Sequence, residues 1–147
     1  MTDPPVSMIV RPFAESDRPG VIALWQRCGL VFPQNDPDRD IDLKADFQGD
    51  LFLVGVIDGS VAAAVMAGYD GHRGWINYLG VDPDRRGQGL GRMIMAEAEN
   101  RLAALGCPKI NLQVRTSNTK VIGFYKALGF AMDDVVSLGK RLVTNQK

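Results

Sequence analysis

The chain has 147 residues, enough for one domain with a substantial core. Seventeen basic residues balance seventeen acidic ones, so no global field favours nucleic acid or an anionic membrane as a partner. Two distant cysteines give neither a disulfide framework nor zinc-ligand spacing, no metal ligand set is read, and no apolar run approaches the roughly 20 residues of a membrane span. The opening MTDPPVSMIV lacks a basic segment followed by a long apolar stretch, so no signal peptide is read and the expectation is a reduced, cytoplasmic protein.

In chain order, Met8 to Arg11 predicts a short strand. Ser16 offers a capping oxygen to a helix whose apolar face is Val21, Ile22, Leu24 and Trp25, ending near Cys28. A loop then leads to a polar helix with Asp36 as N-cap and Pro37 as its first residue. LFLVGVIDGSVAAAVMAGY predicts a hairpin turning at Asp58-Gly59. DGHRG, at 70 to 74, turns into the strand WINYLGV. A helix follows from about Gly89 to Leu105, stopped by Gly106 and Pro108. KINLQV, at 109 to 114, alternates as a strand, and a helix runs from Thr119 to Leu128. The tail from Phe130 to Leu142 adds one or two strands. The order β-α-α-β-β-β-α-β-α-β-β, without repeat or linker, is one mixed α/β domain over 1–147.

The stretch VDPDRRGQGLGRMI, beginning at Val81, sets glycines 87, 89 and 91 among Arg85, Arg86 and Arg92 at the mouth of a helix. First-turn N–H groups lack intrahelical partners and carry partial positive charge, so a phosphate can accept from several of them. Glycine lets it reach the backbone, and the guanidinium groups add full charges. The stretch reads as a pyrophosphate cradle. The pattern GxxxxGK[ST] is absent, and GxGxxG fails because Gly91 comes one position early with no acidic residue about 20 positions on. A nucleotide-dependent oxidoreductase is therefore disfavoured.

Arg86-Gly87-Gln88-Gly89-Leu90-Gly91, after a strand ending Leu-x-Val-Asp-Pro, resembles the Arg/Gln-x-x-Gly-x-Gly/Ala signature of the GCN5-related N-acetyltransferases (GNAT). Downstream, Asn118 to Phe130 is similar to the family's Asn-x-x-Ala-x-x-x-Tyr-x-x-x-Gly-Phe block, with Val121 in place of the alanine. NDPDRDI and YDGHRG resemble a bacterial branch, the YpeA-type proteins. The resemblance implies the GNAT fold: an α/β (α+β), mostly antiparallel sheet of six to seven strands, about four flanking helices, and central strands that splay apart. It implies acetyl-CoA as co-substrate, no metal, and acetyl transfer to a primary amine by direct attack on the thioester. The acceptor it implies is a small-molecule or peptide amine, and homodimers occur in the family.

Carried over by residue, the backbone of Leu79, Gly80 and Val81 holds the pantetheine arm. The amides of Gly87, Gln88, Gly89, Leu90, Gly91 and Arg92, with Arg86, hold the pyrophosphate. Asn118 contacts the cofactor, with a helix N-cap as its other reading. Tyr125 lies against the sulfur, where a phenol can protonate the departing thiolate. Gly80 lacks a Cβ, which suits a bulge and a close ligand.

The proton acceptor for the amine is open. The branch that acetylates ribosomal-protein N-termini has a glutamate where this chain has Gln113, which cannot take a proton. Asp70, His72, Tyr78, Asp36 and a water relay are the candidates. Asp36, Asp38, Asp40 and Asp42 surround only Arg39 in the segment that walls the family's acceptor site, and either attract a cationic amine or satisfy the helix dipole. The competing function is a non-catalytic acetyl-CoA-binding sensor or partner domain.

Overall fold

The computed structural model describes residues 7–143, so the first six residues, read above for a leader, lie outside it. The chain divides between Leu112 and Gln113 into two compact units. The first carries a five-stranded sheet in the order β1 (Ile9–Pro12), β2 (Phe52–Ile57), β3 (Ser60–Tyr69), β4 (Gly74–Val81), β5 (Ile110–Leu112). The first three pairings are antiparallel and β4–β5 is parallel. The β2–β3 turn forms where Asp58-Gly59 predicts it, with φ of 50° and 79° at those residues.

The helices are α1 (Arg18–Arg27), α2 (Pro37–Ala45) and α3 (Leu90–Ala104) in the first unit and α4 (Thr119–Ala127) in the second. Alternation along the strands sorts them onto two faces. Phe52, Val54, Ala64 and Met66 join Val21, Leu24 and Trp25 of α1 and Ile41 of α2 in one buried cluster. On the other face α3 packs along β2, β3 and β4, burying Leu90, Ile94, Met95, Ala98 and Leu102. The central strand β3 is buried on both faces from Ala62 to Ala67, and its alanines let helices approach from either side.

Two expectations are corrected. Ser16 caps nothing: α1 is entered through a 3-10 turn, Glu15–Asp17, whose Asp17 carboxylate accepts the Ala14 N–H at 2.8 Å and both Arg11 NH groups at 2.7 and 2.9 Å. Asp17 occupies the N-cap position of α1 with no side-chain cap bond, because its carboxylate is turned back to the guanidinium and the upstream amide. The sheet has five strands among the described residues, not six or seven. Residues 130–143 form no strand, and Met132, Val135, Val136 and Leu138 are exposed. A β-prone run without a cross-strand partner has nothing to stabilise its ladder.

Asp17 is buried, and the Arg11 hydrogen bonds hold its carboxyl below the usual range against the opposing effect of burial. A depressed carboxyl contributes stability that is complete above its unfolded value, near 3.9, and is lost as pH falls through the folded value. Arg11→Met should therefore cost about 1–3 kcal/mol in urea unfolding at pH 7, with the deficit shrinking toward pH 3 as Asp17 protonates in both proteins.

Candidate active site

The site begins where β4 loses a neighbour. Its pairing with β5 ends at Ile76↔Leu112, so Asn77 to Val81 continue with β3 alone among the described residues. On the β3 side the register slips between Ala64↔Gly80 and Met66↔Asn77, which leaves an extra residue on β4. Tyr78 takes it up with φ of 56°, a left-handed conformation rare for an aromatic residue.

Helix α1 holds this bulge. The Trp25 indole N–H donates to the Tyr78 carbonyl at 3.1 Å, and its ring stacks on the Tyr78 ring at 4.1 Å. The Cys28 thiol donates to the Val81 carbonyl at 3.2 Å. A Cβ on Gly80 would lie 3.3 Å from Cys28 Sγ and from Trp25 Cδ1 and 3.4 Å from Leu30 Cδ1. The bulge is therefore at Tyr78, and a Cβ at Gly80 would crowd the packing of α1.

Directly after β4 a 3-10 turn, Pro83–Arg85, leads through Arg86 to Gly87 and Gly89, with φ of 83° and 79°. Nothing lies within 4 Å of where their Cβ atoms would stand. Both glycines are thus required by backbone conformation, and the space before them is open. Gly89 caps α3, leaving the Leu90, Gly91 and Arg92 amides as first-turn donors, while Met93 N–H already bonds the Gly89 carbonyl. The Leu90 side chain is buried in the core, so only its backbone faces outward. Arg85 is partly engaged by Asp82, at 3.9 Å. Gln88, Arg86 and Arg92 are exposed, and neither arginine forms an ion pair among the described residues. No acidic residue occupies the first turn of α3. The loop thus carries first-turn amide donors beside two exposed guanidinium groups.

Beside the bulge is a cleft of about 730 Å³ lined by Leu30, Phe32, Asn35, Lys44, Met66 and Tyr78 among others. The Tyr78 hydroxyl donates to Asp40 Oδ2 at 2.5 Å and accepts from Asn35 Nδ2 at 3.1 Å. Burial, then the Asp40 hydrogen bond, pushes the Tyr78 phenol well above its ordinary value.

The other candidate bases are occupied or apart. Asp70 accepts from the Arg73 and His72 amides and Trp75 Nε1, at 2.7, 2.8 and 3.2 Å, and these bonds lower its pKa. His72 is exposed in the same turn. Asp36 caps α2 by accepting from Arg39 N–H at 3.3 Å. Nor is the acidic loop a free negative field. Arg18 binds Asp38 at 3.2 Å and Asp42 at 2.6 Å, leaving Asp40 turned to Tyr78. Arg18, Asn35 and Lys44 went unnoticed in the sequence; the i,i+4 spacing of Asp40 and Lys44 was the available signal.

In the second unit Asn118 caps α4, accepting from Val121 N–H at 3.3 Å. Tyr125 is buried between Phe124 and Phe130, with ring centroids at 5.1 and 5.5 Å. Burial raises its phenol to about 12. Its hydroxyl is not left buried without a partner, so the tip meets solvent.

A one-sided central strand followed at once by an amide-rich turn into a helix is the framework of an acetyltransferase. The family model for the acetyltransferase (GNAT) family matches residues 18–130. An acetyltransferase of Yersinia enterocolitica is 46% identical over 140 residues, covering 95% of this chain and 99% of the relative. Among solved structures, the ribosomal-protein-S18-alanine N-acetyltransferase from Escherichia coli is 26% identical with a TM-score of 0.70, covering 84% of this chain and 77% of that one. PaiA N-acetyltransferase from Thermoplasma acidophilum, in complex with coenzyme A, superposes with a TM-score of 0.76 at 17% identity, over 88% of this chain and 93% of that one. The chain belongs to the acetyltransferase (GNAT) family, and acetyl-CoA-dependent N-acetyl transfer is its activity.

Gly89→Val places a β-branched residue at φ of 79° and a side chain in the open space before α3. The expected result is a stability loss of about 1–2 kcal/mol by denaturant unfolding. Calorimetry should also show at least a tenfold weaker coenzyme A affinity, which distinguishes the loop from a merely structural turn.

Proposed function

We propose that this chain acts as a single catalytic domain that acetylates a primary amine, with Tyr78 and Asp40 receiving the amine's proton and Tyr125 supplying one to the leaving thiolate. Treating 1–147 as one domain is supported by the family match, whose span of residues 18–130 crosses the boundary between the two compact units. The observation that carries the reading is the Gly87–Arg92 turn. Two left-handed glycines with open space before them, three first-turn amides and two arginines without carboxylate partners fit a diphosphate.

In the reaction an N–C bond forms to the acetyl carbon, the C–S bond breaks, and the amine loses one proton while the sulfur gains one. Coenzyme A's thioester, when bound, supplies the activated acetyl group. Leu79, Gly80 and Val81 offer backbone groups on the strand edge that β5 leaves unpaired, and Arg86 through Arg92 hold the diphosphate. Asn118, besides capping α4, retains its amide nitrogen to donate to the cofactor.

The Asp40 carboxylate accepts from the Tyr78 hydroxyl. As the amine gives its proton to the phenol oxygen, the phenol's own proton passes to Asp40 Oδ2 and then to solvent. An ammonium with a pKa near 10.4 loses its first proton to solvent before attack, at a cost of about 4–5 kcal/mol at neutral pH, and the Tyr78–Asp40 relay takes the second as the N–C bond forms. Tyr125 stays protonated at every working pH because burial holds it near 12. It donates to the thiolate and is reprotonated from water.

Release of free thiol on a good acceptor tests the reading. Tyr125→Phe should lower kcat by about a hundredfold while acetyl-CoA affinity, read by calorimetry, stays within twofold. The wild-type kcat should show no descending limb up to about pH 10, since the acid titrates near 12. Wild-type turnover in Tyr125→Phe would remove that residue from the mechanism.

A further inference from the structure

Asp40 and Lys44 are one turn apart on α2, with Cβ atoms about 6 Å apart by helix geometry, and an acid four residues before a lysine is the favoured arrangement for an ion pair. They do not pair. Asp40 is held by Tyr78, whose hydroxyl is held in turn by Asn35. Lys44 turns to the other end of the cleft, where its ammonium stands 6.0 Å from the Phe47 ring centroid and 3.4 Å from where a Gly68 Cβ would be. It is half-buried and makes no ion pair or hydrogen bond with any described residue. Desolvation lowers its pKa, only partly opposed by Asp50.

Of the neighbouring acids, Asp50 acts on Lys44 through space without forming an ion pair among the described residues, and the others are committed. Asp38 and Asp42 bind Arg18, Asp36 caps α2, and Asp70, in the smaller pocket of about 170 Å³ that also shares Lys44, has its oxygens taken by two amides and an indole. The cleft thus offers one carboxylate and one ammonium a short distance apart. Leu30, Phe32, Leu43, Phe47 and Met66 form its apolar walls. A half-buried cation without a counter-ion is costly unless a ligand supplies one.

Building on the proposed acetyl transfer, we propose that this cleft selects an amine that also carries a carboxylate and an apolar side chain, an apolar α-amino acid or close analogue, with Lys44 holding the carboxylate and Asp40–Tyr78 the amine. An α-amino acid carries an ammonium and a carboxylate of opposite sign to Asp40 and Lys44, whose side chains stem from one face of α2 and diverge, leaving room for a ligand between them. A polyamine would bring a second cation to Lys44.

The experiment is a thiol-release assay on matched acceptors. Leucine, methionine and phenylalanine are compared with their amides, their decarboxylated amines, and spermidine, using the wild type, Lys44→Met and Lys44→Arg. The acids should exceed their amides at least tenfold in kcat/KM, mainly through KM. Lys44→Met should bring that ratio within twofold of unity, and Lys44→Arg should retain most of it. Equal use of acid and amide, a preference unchanged in Lys44→Met, or a preference for spermidine would each overturn the acceptor class while leaving acetyl transfer intact. Taurine and phosphoethanolamine separate carboxylate recognition from general anion recognition: acetylation of either as readily as the amino acids would overturn the carboxylate assignment. Absence of turnover on every acceptor together with no calorimetric affinity for acetyl-CoA would instead fell the acetyl-transfer reading, and this inference with it.

Discussion

The left-handed backbone at Tyr78 is the constraint on which the catalytic face depends. An aromatic residue pays a steric penalty there, and the structure compensates with contacts to the same residue from both its backbone and its ring. Trp25 binds the carbonyl and stacks on the ring, and Trp25 in turn stacks on Phe52, which stacks on Phe13. This aromatic column fixes the point at which β4 changes register. Upstream, β4 has neighbours on both sides; downstream, one edge has no strand partner among the described residues, and the Tyr78 hydroxyl is aimed at α2. The distortion thus lies just beyond the end of the β5 pairing and sets the polar end of the cleft.

Charge is distributed by assignment rather than by density. A net charge of zero hides four aspartates in seven residues, yet three of them are neutralised locally by a helix terminus or by Arg18. Arg18 also binds Glu15, at 2.6 Å, so a single guanidinium fastens the entry of α1 to the middle of α2. These exposed pairs contribute little stability each, but their geometry decides which carboxylate is left for the cleft. The same economy holds at the anion loop. Arg27 binds Asp82 and Asp84, at 2.8 and 3.0 Å, which engages the two acids that precede Arg86 in this turn.

Local chemistry made much of this legible in the sequence. The Asp58-Gly59 turn, the Asp36 cap and the glycine-arginine turn each follow from residues adjacent in the chain, and each forms where expected. The failures involve partners far away in sequence. Nothing near Ser16 says that Asp17, turned back to Arg11 six residues earlier, will stand at the N-cap position of α1 instead. Nothing near Gly80 says that Trp25 and Cys28, more than fifty residues earlier, need the space its Cβ would fill. The tail beyond Phe130 has strand-like residues, but a strand is specified by its neighbour as well as by its composition. The site divides in the same way: the anion loop is contiguous and was readable, whereas the cleft is assembled from α2, β3 and β4 and was not.

That division bears on how such a chain acquires a new acceptor. Gln113 stands where the ribosomal-protein branch has its glutamate, and its amide nitrogen donates to Ser137, so the position has been given over to a structural contact. Loss of a carboxylate from one strand would leave the amine's proton without an acceptor if the cleft had no other. Here a carboxylate on α2 reaches the bulged strand through a phenol, and the ammonium one turn further along the same helix stands clear of it. Because α2 carries both charges, a change of one or two residues on that helix alters which amine is drawn in. The glycine turn and the core strands lie outside that helix and need not change at all.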